Sequence, residues 1–261
     1  MEKEFNFRTM EFIAPSGFKY TIREQNGEDE DILTNPRDAK DLTNLIKFVA
    51  SLVVDTNYTK SGKLTLEDAR NLPLLDKYCI ILQNNIFSLE GKIEFDYTFK
   101  DGSTFTFEQD IRELVFDDYS HLPSDEELEA KPYALPYYPG IPNGDHSKLT
   151  DIEFTLSTGK VLSFNLMTSK SEQYLLGLPE AKRTRNTELI ARNLKLQVNG
   201  TFEGVTNFKM FSVKEMREIR SHIMEMDPVF PGTIVLENPQ DPTDKETYSV
   251  LGNPDFFGLM S

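Results

Sequence analysis

Three histidines, a single cysteine and two runs of carboxylates are the side chains in these 261 residues that could carry acid–base, nucleophilic or metal chemistry. His121, His146 and His222 are widely separated, and none has another at the short spacing of a zinc site, so each reads as a structural histidine. Cys79 sits between Tyr78 and Ile80 on an apolar stretch, which suits a buried thiol. A Cys–His nucleophile pair would need a histidine from elsewhere in the chain. Asp29 and Asp31, within Glu28–Asp31, could hold a cation or act as acid and base; in a helix start such carboxylates ordinarily serve as solvated caps. Asp55-Thr56-Asn57-Tyr58-Thr59 begins like a calcium loop. Lys60 stands where that loop needs glycine and Leu66 where it needs the bidentate glutamate, so the pattern fails. Gly17, Gly27, Gly62 and Gly91 are isolated turn residues, not a phosphate loop, and no nucleophile elbow is present. The expectation is a chain with no catalytic, cofactor-binding or metal-binding residues, and no enzyme.

Binding chemistry is better represented. Lys182, Arg183, Arg185, Arg192 and Lys195 form the strongest basic cluster in an acidic chain. They read either as a solvated helix with a neutralised C-terminus or as a docking patch for an acidic partner, another copy's 117–129 included. Pro136-Tyr137-Tyr138-Pro139 fits PxxP and, with Tyr133, reads as a strap against the protein's own core or a ligand for an aromatic groove. The candidate partner-binding residues are therefore Lys182, Arg183, Arg185, Arg192, Tyr133, Tyr137 and Tyr138.

Elements able to position these residues follow from periodicity. Phe18, Tyr20 and Ile22 alternate after the turn Pro15-Ser16-Gly17, predicting a hairpin over 12–22. Leu42, Leu45, Ile46, Val49 and Val53 predict a helix over 38–54 entered at Asn35-Pro36. A capping box at Thr65–Asp68 opens a short helix, and 74–87 predicts another with Leu75, Tyr78, Leu82 and Ile86 inward. Alternation at Ile93, Phe95, Tyr97 and Phe99, then Asp101-Gly102, then Phe105 and Phe107 predicts a hairpin with a tight turn. The acidic stretch 117–130 and Pro132, Pro136, Pro139 and Pro142 predict an irregular strap. Beyond it come strands at 152–156 and 161–166 and helices at 170–177, 186–196 (Leu189, Ile190 and Leu194 inward) and 213–226 (Val213, Met216, Ile219, Ile223 and Met226 inward). A hairpin over 234–249 and a docked aromatic tail at 253–257 complete the reading.

Fold class is accordingly α+β: antiparallel hairpins packed with short helices. The parts are an N-terminal one (1–116), an acidic and Pro/Tyr-rich linker (117–148) and a C-terminal one (149–261). The two parts echo one another. Phe12, Gly17, Glu30 and Leu33 align without gaps on Phe154, Gly159, Glu172 and Leu175, either through duplication or through shared hairpin grammar. A different strand order in the two would remove the first alternative. The formal net charge of −15 argues against a general nucleic-acid binder. No apolar run approaches a bilayer-spanning length, and the residues MEKEFNFRTMEF lack a signal peptide's apolar centre, so neither a membrane nor an exported protein is expected. One cysteine suits a reducing compartment. Asn57-Tyr58-Thr59 and Asn199-Gly200-Thr201 then read as chance glycosylation patterns.

Residues 15–33 (PSGFKYTIREQNGEDEDIL), 72–91 (LPLLDKYCIILQNNIFSLEG), 178–193 (LPEAKRTRNTELIARN) and the MREIRSHI segment resemble the baseplate hub and tail-assembly proteins of T-even-type contractile-tailed bacteriophages, in the same order over most of the chain. In some relatives the central hairpin carries paired cysteines; 93–107 has none, so no metal is carried over. The resemblance implies a non-enzymatic hub component or assembly chaperone, with hub or tape-measure proteins or a second copy as partners and no nucleic acid or membrane. It implies the host cytoplasm during assembly, or the virion baseplate, as location. The competing class is a hydrolase or nucleotide-processing enzyme with a carboxylate site.

Overall fold

In the computed structural model, which describes residues 7–139 and 143–259, β1 (Thr9–Ile13) and β2 (Lys19–Arg23) pair antiparallel with Phe12, Tyr20 and Ile22 inward. Pro142 and the first six residues lie outside the described residues. Asn26 then caps α1 (Gly27–Leu33) in a reciprocal box with Asp29. Next come α2 (Thr43–Leu52) and β3 (Val53–Thr56), which adds to β2 and makes a three-stranded sheet ordered β1-β2-β3. Thr65 and Asp68 box the start of α3 (Leu66–Asn71), and Pro73 leads into α4 (Leu74–Ser88). The strands β4 (Lys92–Thr98) and β5 (Thr104–Asp110) form the Phe-rich hairpin. Its turn places Gly102 at φ 86°, a conformation glycine adopts without steric cost.

The connecting segment carries α5 (Asp125–Ala130), followed by an irregular proline stretch. The second half starts with β6 (Ile152–Thr155) and β7 (Val161–Phe164). It continues through α6 (Ser169–Gly177), α7 (Arg185–Ala191), β8 (Lys195–Val198) and β9 (Thr201–Gly204) to α8 (Val213–Met226), β10 (Thr233–Asn238) and β11 (Asp241–Ser249). Its main sheet is ordered β6-β7-β8-β9. The fold is α+β, built of antiparallel hairpins and short helices.

The two halves repeat one another in topology and in register. Each runs hairpin, two helices, a strand added beside the second hairpin strand, a long helix, a second hairpin and a 3₁₀ turn; before the long helix the first half inserts α3, and the second inserts β9 and a 3₁₀ turn instead. Met10 pairs Ile22 and Ile13 pairs Lys19; at the aligned positions Ile152 pairs Phe164 and Thr155 pairs Val161. The turns close identically. Ala14 N–H donates to Phe18 O and Gly17 N–H to Ala14 O, as Leu156 N–H does to Lys160 O and Gly159 N–H to Leu156 O. Asn26 and Thr168, also aligned, are the N-caps of α1 and α6.

Three further anchors repeat between the halves, two on the long helix and one at the base of the second hairpin. Ser16 Oγ donates to Asp76, and Thr158 Oγ1 donates to Glu215, each carboxylate being the third residue of its helix. Gln25 N–H donates to Ser88 Oγ at the end of α4; Met167 N–H donates to Asp227 at the end of α8. Ile111 N–H donates to Gly91 O, and Val250 N–H to Gly232 O. The echo read from four matching residues is thus a repeat of whole supersecondary units.

One continuous apolar core runs through both halves and the strap. Within it α4 is buried on nearly every side, polar Asp76, Lys77, Asn84 and Asn85 included. The second hairpins meet across the halves: Phe95 stacks on Tyr248 with centroids 4.0 Å apart. Phe256 and Phe257 dock, Phe257 edge-on to Phe48 at 6.0 Å.

Several expectations are corrected. The helix over 38–54 is a 3₁₀ turn (Asp38–Asp41), a break at Leu42 (φ 59°), then α2 and β3, because Val53 and Val54 extend beside β2. The helix over 186–196 stops at Ala191 to free Lys195–Val198 for the sheet, and Ile190 is exposed. Val213 points outward too. The acidic run Glu28–Asp31 is helical, and its Asp29 is buried rather than solvated.

Candidate functional site

A cavity of about 660 Å³ opens between the halves, walled by Tyr58 and Pro73 on one side, α6 and α7 on the other, and His146 of the strap. Its floor is set where Leu74 N–H donates to Met167 O at 2.8 Å and Pro73 bridges Thr168. His146 is held: its Nε2 lies 2.6 Å from Tyr58 O, and its ring is 4.7 Å from those of Phe18 and Tyr58. Lys170 reaches Glu67 at 3.5 Å, and Asn165 Oδ1 accepts from Asp151 N–H. The rim is apolar and outward-facing at Tyr174 and Ile190. Such a cleft can seat a side chain or a short segment; the Asn71, His146, Lys170 and Ser171 side chains are engaged in positioning its walls.

The strap is fastened to the first hairpin turn. Gly144 N–H donates to Ser16 O, and Gly17, at φ 79°, lies so close that a Cβ there would stand 2.6 Å from Asn143 Cα. Only glycine serves at that crossing. Farther along, Leu135 N–H donates to Leu114 O and Tyr119 OH to Leu135 O.

Two buried ionisable clusters lie beneath the cleft. Asp76 accepts from Ser16 N–H at 3.0 Å, from Ser16 Oγ and from Tyr20 OH at 3.0 Å. Full burial pushes its carboxyl up to about 6 although these donors oppose the shift. Neighbouring Cys79 and Tyr20 are pushed up by burial and then by the Asp76 charge, so Cys79 is an inert thiol. Lys77, with no exposed side-chain surface, pairs with Glu172 of α6, which also accepts from Tyr78 OH at 2.6 Å. Burial pushes the Lys77 ammonium down, and Glu172 pulls it back up. This triad pins the second half to the first.

The basic patch is divided. Lys182, Arg183 and Arg185 are exposed, although Arg183 donates to Leu176 O and Leu178 O and so caps the end of α6. Arg192 is only 6 % exposed and pairs with Asp227; as part of the interior it is removed from the docking set. Among the tyrosines Tyr133 is exposed and Tyr137 half-buried, whereas Tyr138 is buried in the core and likewise removed. The PYYP segment is thereby a strap against its own protein. His121 is exposed beside Asp118, and His222 stacks on Phe154 at 4.4 Å. Asp29 pairs with Arg23 through both oxygens and accepts from Ser51 Oγ, while Asp31 stands alone on the surface. Among the described residues no group of three or more histidines, cysteines and carboxylates is placed to hold a metal ion, and no helix is long and apolar enough to cross a membrane.

Periodicity missed Asp76, Lys77 and Glu172 because charged residues on a helix are ordinarily read as its solvated face. One signal was present: aligning the two long helices places Asp76 opposite Glu215, a carboxylate at the third position of each. Compared with protein-family models, curated proteins and solved structures, the chain matches none.

Proposed function

We propose that this chain is a non-enzymatic assembly protein of a contractile bacteriophage tail, a baseplate hub component or a chaperone, acting through contacts with hub or tape-measure proteins in the host cytoplasm or the baseplate. The sequence resemblance supplies the family. The observation that carries the contact-based role is the division of labour at the cleft. Ion pairs at and near it hold the two repeats together and His146 fastens the strap, while Tyr174 and Ile190 on its rim face outward. Exposed aromatic and aliphatic side chains at a cleft rim are what a partner would bury. The carboxylate that burial pushes up, Asp76, is sealed from solvent and holds a turn.

The test is recovery of the protein with its neighbours. Mass spectrometry of purified virions separates a resident hub component from a transient chaperone, and co-purification of an identified hub or tape-measure protein from infected cells supports both. Strong phosphodiesterase or nucleotidase activity of the purified chain, with no tail protein recovered, would overturn the reading.

A further inference from the structure

The repeat shows what covers the outward face of each long helix. On α4, aligned Leu74, Tyr78 and Asn85 are covered by the second half: Met167 O accepts from Leu74 N–H, Glu172 of α6 binds Lys77 and Tyr78, Phe230 lies 5.7 Å from the Tyr78 ring, and Phe256 O accepts from Asn85. The aligned residues of α8 are Val213, Arg217 and Met224. All three are exposed, Val213 at 73 % and Met224 at 70 %.

The counterpart of α6 in the first half is α1, and Glu30 is its fourth residue as Glu172 is of α6. Within the chain α1 makes no hydrogen bond or ion pair with α8 among the described residues. The contact between halves is therefore heterologous: α6, packed beside α3, reaches α4 through Glu172, and α1 and α8 have no such reciprocal contact among the described residues. α1 and the first turns of α8 are complementary in charge. Glu28, Glu30 and Asp31 of α1 are exposed, as are Lys214 and Arg217 of α8, and none has an ionic partner among the described residues.

We infer that copies of this chain associate head to tail, α1 of one copy seated on the outward face of α8 in the next as α6 reaches α4 within the chain. Glu30 then meets Arg217 in the place where Glu172 meets Tyr78, and Val213 loses water against the neighbour. The occupant is a second copy because the occupant of the equivalent face is a repeat of the same build. A head-to-tail contact closes into a ring or continues as a filament, according to the rotation it imposes.

The inference does not depend on the tail reading, and virion composition tests that reading separately. The experiment is sedimentation equilibrium of the full chain over a concentration series, with wild type, E30R, R217E and an equimolar mixture of the two variants. Wild type is expected to gain mass with concentration and each reversal alone to hold the monomer mass. The mixture should regain association, because reversed charges face one another at one contact and the native pair at the next. Both residues are on the surface, so circular dichroism should match wild type. Val213→Arg, which acts on the apolar part of the face, is expected to give the same loss. A wild type that remains monomeric, an association indifferent to all three variants, or a mixture that fails to recover would each overturn the proposal.

Discussion

Aligned carboxylates in the two halves titrate in opposite directions, and environment alone makes the difference. Burial holds Asp76 at about 6, whereas Glu215 is pulled down to about 2 by Ser212 N–H, Lys160 and Thr158. For Asp76 the folded value lies above the ordinary 3.8, so the folded chain binds the extra proton between those values. Its contribution is then complete below pH 4 and is lost as pH rises through 6, about 3 kcal/mol across the window. The measurement is urea unfolding at several pH values for wild type and Asp76→Asn. The difference between them should carry that slope, and parallel curves would place the titration elsewhere. Lys77 and Glu172 give a second expectation. Glu172→Ala strands a buried ammonium and should cost about 3–5 kcal/mol. Lys77→Met with Glu172→Gln should recover most of it, since methionine already occupies the aligned position, Met216, in α8. The midpoint in urea at unchanged slope reads both.

Among the elements, those with strong local codes were legible: the Thr65 and Ser212 capping boxes, the Phe-rich hairpin and the boundaries of α8. The strands β3, β8 and β9 were not. Each has four residues, too short for alternation to register against flanking helical patterns. The β8–β9 turn nevertheless carried a code, Asn199-Gly200, with φ of 51° and 83°, the pair a two-residue hairpin favours. Likewise the apolar spacing from Leu42 to Val53 was real but crossed a helix-to-strand boundary. Burial of Tyr138 in the strap and of Arg192 at the end of α7 depends on partners distant in sequence, which no local pattern reports. Gly17→Ala tests that crossing. It must both hold φ 79° and push against Asn143, so it should lose well over about 1 kcal/mol. Gly102→Ala, with open space at φ 86°, should lose less. Thermal unfolding of the two variants side by side makes the comparison.

For the molecule as a whole, the repeat changes the meaning of the charge. The net −15 is not evenly spread. Acidic side chains lie on α1 and the strap, while the free cations of the second half lie around Lys182–Arg185 and on α8. A contact between exposed side chains of opposite sign should make self-association salt-sensitive, because exposed pairs are screened within about 10 Å at 0.1 M salt. Raising ionic strength should therefore lower the association measured by sedimentation, while an apolar contact alone would be indifferent or strengthened.

The ion pair between Lys77 and Glu172 also sets an order in time. Its members are separated by 95 residues, so at roughly 5–20 residues per second a ribosome delivers the glutamate roughly 5–20 s after the lysine. Throughout that interval the nascent first repeat has its central helix without the cover that completes it, and Lys77 remains hydrated. The first repeat is thus born as a waiting template, and synthesis of the second is the event that shuts it.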